Sequence, residues 1–137
     1  MRQVLATEQR RSTAEVPVDF NHDPDSELLY HETCLTRLTG IMASDWKVLP
    51  GHRQGGKRGN EEVAFAHRNP IAARDQYQRT APVPTKHGTK HIGVQLRVVG
   101  FEGCKRARRG SKYQQAPFFK VITLKLRAYD EPQTLTC

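Results

Sequence analysis

The sequence has few of the residues that build a large hydrophobic core. Only 29 of its 137 residues are Leu, Ile, Val or Phe, and Trp occurs once. A chain of this length allows one domain, and its apolar content lies near the level at which chains stop folding alone. The composition therefore argues against a large self-sufficient core and predicts a small one.

Cysteine and long apolar runs are also scarce. The three cysteines, Cys34, Cys104 and Cys137, are too few and too scattered for a disulfide framework, and their odd number leaves at least one free thiol. This pattern favours a reducing compartment. No apolar run is long enough to cross a bilayer, so no membrane partner is predicted. Residues 1–17 contain the arginines and hydroxyl residues typical of an organellar transit peptide, although their two glutamates count against that interpretation.

The six histidines do not form a recognised metal motif. His87 and His91 are four residues apart, but Gly88 between them disfavours a helix, and the glutamate of the HExxH motif is absent. His31 and Cys34 share one face of a predicted helix, yet no CxxC pair accompanies them. The sequence therefore predicts no metal site and no cofactor.

A catalytic site is not indicated either. Helix capping explains most of the acidic residues near the N-terminus. The glycine-rich segment 54–59, QGGKRG, lacks the GxxxxGK[ST] spacing of a phosphate-binding loop. We therefore expect no enzymatic activity and no small-molecule substrate.

Positive charge is abundant and unevenly distributed. The formal net charge is +8, and residues 1–50 contain 5 Lys or Arg against 8 Asp or Glu, whereas residues 51–137 contain 17 against 6. A basic region attracts polyanions through phosphate contacts and counterion release. The asymmetry predicts two functions. The C-terminal part would bind nucleic acid, and the N-terminal part would contact protein or solvent.

The clearest predicted helix begins near Asp23 and ends near Gly40, after an N-terminal extension at 1–22 and within a segment of helix and turn at 23–49. Asp23 is a suitable N-cap and Pro24 suits the first turn. An apolar stripe recurs at helical spacing and needs to be covered. The stripe contains Leu28, Leu35, Leu38 and Met42. We expect it to pack either on the strands of the same chain or on a neighbouring protein, with Trp46 filling the core or an interface.

Residues 50–91 are polar and rich in Gly, Pro, Arg and His, which predicts a long extended basic arm or, alternatively, a disordered linker. Two short exceptions interrupt the arm. Residues 63–66 are compatible with a small strand, and Asn69 followed by Pro70 is compatible with the start of a short helix through Tyr77.

The C-terminal part, at 92–137, has the strongest strand signal. Apolar and polar residues alternate over residues 92–101, IGVQLRVVGF, and over residues 118–129, FFKVITLKLRAY. Two such runs joined by a loop predict an antiparallel hairpin, which needs a third strand, the helix or a partner to cover its apolar face. The predicted fold class is therefore α+β, with a small antiparallel β-hairpin or sheet, one N-terminal helix and the extended arm.

The most informative segment is the loop between these strands, EGCKRARRGSKYQQAP at 102–117. It carries five Lys or Arg against one acid, Glu102, and Tyr113 among them can stack on an unpaired base. The arm adds cations interleaved with glycines, which allow close approach of the backbone to phosphates. The predicted RNA-binding residues are Arg53, Lys57, Arg58, Lys105, Arg106, Arg108, Arg109, Lys112 and Tyr113.

A small basic chain with a glycine- and arginine-rich arm and a cationic hairpin resembles organellar, mitochondrial-type ribosomal proteins. QLRVVGF, the basic loop and APFFKVITLK are also similar to the small-subunit ribosomal protein S16, over about thirty of the 137 residues. The loop is longer here, and the chain ends soon after the second strand, so the resemblance extends to the class alone. It implies rRNA binding by the cations of residues 105–112, without catalysis.

The sequence thus predicts a structural constituent of a mitochondrial ribosome, although a cytoplasmic location remains open. Its partners would be rRNA, bound through the arm and the loop, and neighbouring ribosomal proteins, contacted through the N-terminal helix. The first alternative is an accessory structural subunit of a large organellar protein complex, such as a respiratory assembly. A free-standing RNA-binding or RNA-processing factor is the other alternative, and the low apolar content argues against it.

Overall fold

A computed structural model describes residues 12–18, 26–50, 64–100, 105–106, 113–133 and 135–136. Most of these residues are in β-strands, and two short helices accompany them. The strands are β1 (Ser12–Pro17), β2 (Leu29–Cys34), β3 (Lys47–Val48), β4 (Ala64–His67), β5 (Arg79–Thr85), β6 (Gly88–Gly100), β7 (Lys105–Arg106), β8 (Tyr113–Ala116), β9 (Phe119–Tyr129) and β10 (Leu135–Thr136). The helices are α1 (Leu35–Ala43) and α2 (Pro70–Tyr77).

The described strands form one mainly antiparallel sheet in the order β1-β9-β6-β2-β4-β8-β7. Strand β6 is long enough to take two neighbours on one edge, β5 along its first half and β2 along its second, while β9 covers its other edge. Strand β3 continues the edge of β9 beyond β1, and β10 pairs in parallel with the start of β5. The N-terminal strand β2 therefore lies between β6 and β4, and β1 forms the edge of the sheet beside β9.

The predicted pairing of the two C-terminal strands is confirmed. Strands β6 and β9 pair antiparallel from His91 with Tyr129 to Gly100 with Phe119, with a register shift between Arg97 and Val98. The chain between them does not simply turn, because it contributes β7 and β8, which lie at the other end of the strand order beside β4. The expected hairpin thus has part of its loop folded back into the sheet.

The predicted long N-terminal helix is wrong over residues 29–34, which form strand β2. Leu29 pairs with Val98 and Cys34 with Gly93, so the whole of β2 lies against β6. The helix begins only at Leu35, after Cys34, and ends at Ala43. Helical spacing of leucines is a local signal, and strand pairing with distant residues has overridden it.

The predicted extended arm is also wrong for the part that the structure describes. Residues 64–91 form β4, α2, β5 and the start of β6, whereas residues 51–63 lie outside the described residues. The two short exceptions expected within the arm are present. Helix α2 begins at Pro70, and the Asn69 side chain caps it by accepting hydrogen bonds from the backbone N–H groups of Ile71 and Ala72 at 2.9 and 3.1 Å. The α+β class holds with a larger sheet than expected.

One face of the sheet carries the core. Its buried residues come from β2, β3, β4, β6, β8 and β9, and Leu38 of α1 packs among them. Leu35, Ile41 and Trp46 pack against the same cluster, so Leu35 and Leu38 of the predicted stripe are covered by strands of their own chain, whereas Met42 is exposed. Trp46 was expected in the core or at an interface, and in the structure it packs against the core.

Candidate nucleic-acid interface

The structure describes only part of the predicted RNA-binding set. Lys105 and Arg106 form β7, and Tyr113 begins β8, each described by its backbone position. Arg53, Lys57, Arg58, Arg108, Arg109 and Lys112 lie outside the described residues. The structure therefore places the first two cations of the segment on β7 and the tyrosine that follows the segment on β8.

Strands β7 and β8 stand at one end of the strand order. Lys105 pairs with Gln115, and Arg106 pairs with Gln114. Tyr113 lies opposite His67, which lies opposite Tyr30, which lies opposite Arg97, so one row of positions runs across four strands. The basic segment consequently begins and ends next to the level of Arg97 on β6.

The chain from β5 to β9 is almost free of acidic residues. Between Asp75 and Asp130 the sequence contains a single acid, Glu102. The cations in the same stretch are Arg79, Lys86, Lys90, Arg97, Lys105, Arg106, Arg108, Arg109, Lys112, Lys120, Lys125 and Arg127. Such an excess leaves the strands of this stretch without negative charge of their own.

The acids of the N-terminal part supply that negative charge. The Glu15 carboxylate of β1 accepts a hydrogen bond from Arg97 Nη1 at 2.9 Å, and Asp45 Oδ2 lies 3.6 Å from Lys120 Nζ. The bond with Arg97 holds the pKa of Glu15 below its ordinary value, and the same bond raises the pKa of Arg97. The acidic and basic parts of the chain therefore neutralise each other within one sheet.

A buried ion pair lies on the face of the sheet opposite the core. Glu32 and Arg127 have side chains that are 0% and 8% exposed, and Arg127 Nη1 lies 3.5 Å from Glu32 Oε1. Neither Glu32 oxygen has a hydrogen-bond partner at this geometry. Burial raises the pKa of Glu32 to about 7, against the opposing effect of Arg127.

Gln95 links this buried pair to helix α2. Arg127 Nη2 donates a hydrogen bond to Gln95 Oε1 at 3.3 Å, and Gln95 Nε2 donates one to the backbone oxygen of Pro70 at 2.9 Å. Glu32 lies within the range predicted as a helix, but it belongs to β2 and meets Arg127 of β9 inside the protein. Residues 29–34, LYHETC, show no regular alternation of apolar and polar residues that would have predicted this strand.

The turn between β5 and β6 is a basic feature that the sequence analysis did not single out. Thr85 pairs with Gly88, so Lys86 and His87 form a two-residue turn, and all four residues are exposed. Farther from the turn, the side chain of Lys90 forms an ion pair with Asp130. The repeated TKH sequence at 85–87 and 89–91 is the signal that would have identified it.

The histidines and the described cysteine have structural surroundings. His31 Nδ1 lies 3.2 Å from the Phe65 backbone oxygen, and burial lowers the pKa of His31. Cys34 is buried and disulfide-bonded. Within the described ranges, no cluster of three or more His, Cys, Asp or Glu is arranged to hold a metal ion. In the same ranges, neither helix has the length and apolar character needed to span a bilayer.

No family model, no curated protein and no solved structure matches this chain. Function is therefore inferred from the charge and geometry of the chain itself. These define a small antiparallel sheet whose own acids offset many of its strand cations, with basic segments that leave the sheet at its ends.

Proposed function

We propose that this chain is a structural component of a ribonucleoprotein of the ribosomal type, in which it binds RNA backbone through basic segments that leave the sheet. The main contact is the segment 105–112, which contains Lys105, Arg106, Arg108, Arg109 and Lys112. The proposal gives the chain no catalytic role. Its location on an organellar ribosome and its contacts with neighbouring ribosomal proteins stay predictions.

The main support for the proposal is a difference between two sets of cations, those on the strands and those in the segment 105–112. Arg97, Lys120 and Arg127 on the strands each have an acidic partner from the N-terminal part of the chain. The segment 105–112 has five cations within eight positions and no acid. A cluster of that density is costly to hold unless a polyanion neutralises it, and RNA phosphates do so with release of counterions.

The fold also supports a binding role for this segment. Strands β7 and β8 frame it and join it to the same sheet as the buried core, through the pairing of β8 with β4. A segment of eight residues whose two ends are joined to one sheet can reach only a limited area. Phosphate contacts of this kind position a protein on RNA without reading its sequence.

Replacement of Arg106, Arg108 and Arg109 by Ala tests the proposal. Binding to a fluorescently labelled rRNA fragment is measured by anisotropy over a series of salt concentrations. We expect weaker binding and a salt dependence that is shallower by roughly two to three phosphate contacts' worth of slope, because each contact contributes about 0.7 to 0.9 to the slope.

The matched control removes three cations of the sheet and helices instead, Arg37, Lys47 and Lys125, so that the net charge is the same in both variants. An unchanged slope for the Arg106, Arg108 and Arg109 variant would show that the segment does not bind phosphate. Equal losses in both variants would mean that net charge alone drives the binding. Either result contradicts the proposed site.

Sedimentation of tagged protein from native extract separates the ribosomal proposal from its alternative. Co-migration with a ribosomal subunit that is lost after RNase treatment supports a ribosomal constituent. Co-migration with a large particle that resists RNase would instead indicate an accessory subunit of a protein complex, with the basic segments placed on acidic protein surfaces.

A further inference from the structure

The hairpin formed by β5 and β6 projects from the sheet as an exposed basic tip. Residues 84–89 are all exposed, and they include the turn residues Lys86 and His87. The sequence between Asp75 and Glu102 contains no acid, so no negative charge from the hairpin itself offsets the tip. Lys90, lower on the hairpin, is held by Asp130.

The turn is fixed by its own hydrogen bonds. Thr85 Oγ1 accepts a hydrogen bond from the backbone N–H of His87 at 3.2 Å and donates one to the backbone oxygen of Gly88 at 2.5 Å. Gly88 has a φ of 105°, which an L side chain rarely adopts. A turn held in this way loses little conformational entropy when its side chains bind a partner.

Two prolines make the outer edge of β5 unsuitable for pairing with another strand. Pro82 and Pro84 are two residues apart, so both backbone nitrogens face the same side of the strand. Proline in a strand is tolerated where its missing N–H would point away from the ladder, and it leaves that edge without donors. A partner of this hairpin is therefore bound through side chains, of which the exposed ones in the turn are Lys86 and His87.

The tip lies far from Lys105 and Arg106 on β7, where the segment 105–112 begins. The nine residue steps of β6 from Gly88 to Arg97 span about 30 Å. From Arg97 the row of paired positions leads across β2 and β4 to Tyr113, beside which Arg106 pairs with Gln114. Following the antiparallel pairings, β6 and β7 run in the same direction, so the hairpin tip and the exit of β7 face opposite ends of the sheet.

We propose that the tip of the β5–β6 hairpin is a second RNA-phosphate contact, opposite the basic segment 105–112, so that one chain joins two separate stretches of RNA backbone. This inference rests on the proposed RNA-binding function. The two contacts are too far apart for one short duplex, and an architectural protein of this kind holds two RNA elements at a set distance.

Stoichiometry tests the second contact. The probe is an RNA stem-loop of about six base pairs, whose A-form stem is shorter than the spacing of the two contacts. Titration of the full chain into labelled stem-loop at low salt is expected to saturate at two RNA molecules per chain. The Lys86→Ala and His87→Ala double variant is expected to saturate at one, with a salt slope for overall binding that is shallower by roughly 0.7 to 0.9, the share of one lysine–phosphate contact.

The control variant, Arg37→Ala, removes the same formal charge and is expected to keep two binding sites. Circular dichroism of each variant verifies that it is folded. Saturation of the wild-type chain at one stem-loop, with binding lost in the Arg106, Arg108 and Arg109 variant, overturns the second contact and leaves the proposed function intact. Absence of any RNA binding by the wild-type chain overturns both.

Discussion

Cations on the strands of the sheet and cations at its turns differ in whether an acidic side chain lies beside them. On the strands, Arg97 and Arg127 each meet a glutamate from an N-terminal strand. At the β5–β6 turn, Lys86 is exposed on a hairpin that contains no acid. Cations within the sheet therefore meet acids of the same chain, whereas the lysine at the turn is available to a partner.

This difference explains how a basic chain with few apolar residues folds into a ten-stranded sheet. The apolar residues are concentrated on one face, where Leu29, Leu96 and Phe119 are fully buried. The opposite face is held by polar contacts between N-terminal and C-terminal strands. An ion pair across strands is worth little on the surface, so the apolar face supplies most of the stability.

The largest expected effect comes from the apolar face. Phe119 is fully buried and pairs with Val48 of β3. We expect Phe119→Ala to lower the free energy of unfolding by about 3 to 5 kcal/mol, because it removes a large side chain and leaves a cavity. Urea denaturation with an unchanged m-value measures the loss.

Lys86→Ala is the matching change at a turn, and its effect on stability should stay within about 0.5 kcal/mol. Equal stability of the Phe119→Ala variant and the wild-type chain would contradict the distinction between a stabilising sheet and turns that serve binding.

The next largest effect concerns the buried pair. Because the pKa of Glu32 is raised from 4.5 to about 7, the folded chain keeps a proton there that the unfolded chain releases. The contribution of Glu32 to the free energy of unfolding should therefore fall as the pH rises from about 4.5 to about 7 and level off above that. The difference is about 3 kcal/mol, since each pH unit between the two pKa values is worth about 1.4 kcal/mol.

Glu32→Gln should remove this pH dependence and make the chain more stable than the wild type at pH 8, as measured by urea denaturation over a pH series. Gln retains an oxygen that can accept a hydrogen bond from Arg127. The same downward slope in the variant would mean that another group is responsible and that Glu32 is ionised in the fold.

The smallest effect is expected from the exposed pair of Glu15 and Arg97. A double-mutant cycle with Glu15→Gln and Arg97→Gln should give a coupling free energy of about 0.2 to 1 kcal/mol that decreases at high salt. Because the pKa of Glu15 is lowered, its contribution is lost as the pH falls below 4.5, the reverse of the trend at Glu32. A coupling that persists in high salt would show that this pair is shielded like the buried one.

Local sequence patterns predicted the elements whose signals are local. The alternation in β6 and β9 identified their strands, and Asn69 with Pro70 identified the start of α2. The same reasoning failed for residues 29–34, because leucines at helical spacing look alike whether or not a distant strand is available for pairing. It also missed the strand β5, because prolines such as those at 82 and 84 are typical of irregular chain and are tolerated in a strand only at an edge.

The sequence by itself determined the excess of positive charge, its concentration in residues 105–112 and the shortage of apolar residues. Only the tertiary structure decided which cations are neutralised. Glu15 and Arg97 are 82 residues apart along the chain, and they meet because β1 and β6 both pair with β9. Strand pairing joins residues that are distant in sequence, and composition contains no information about that register.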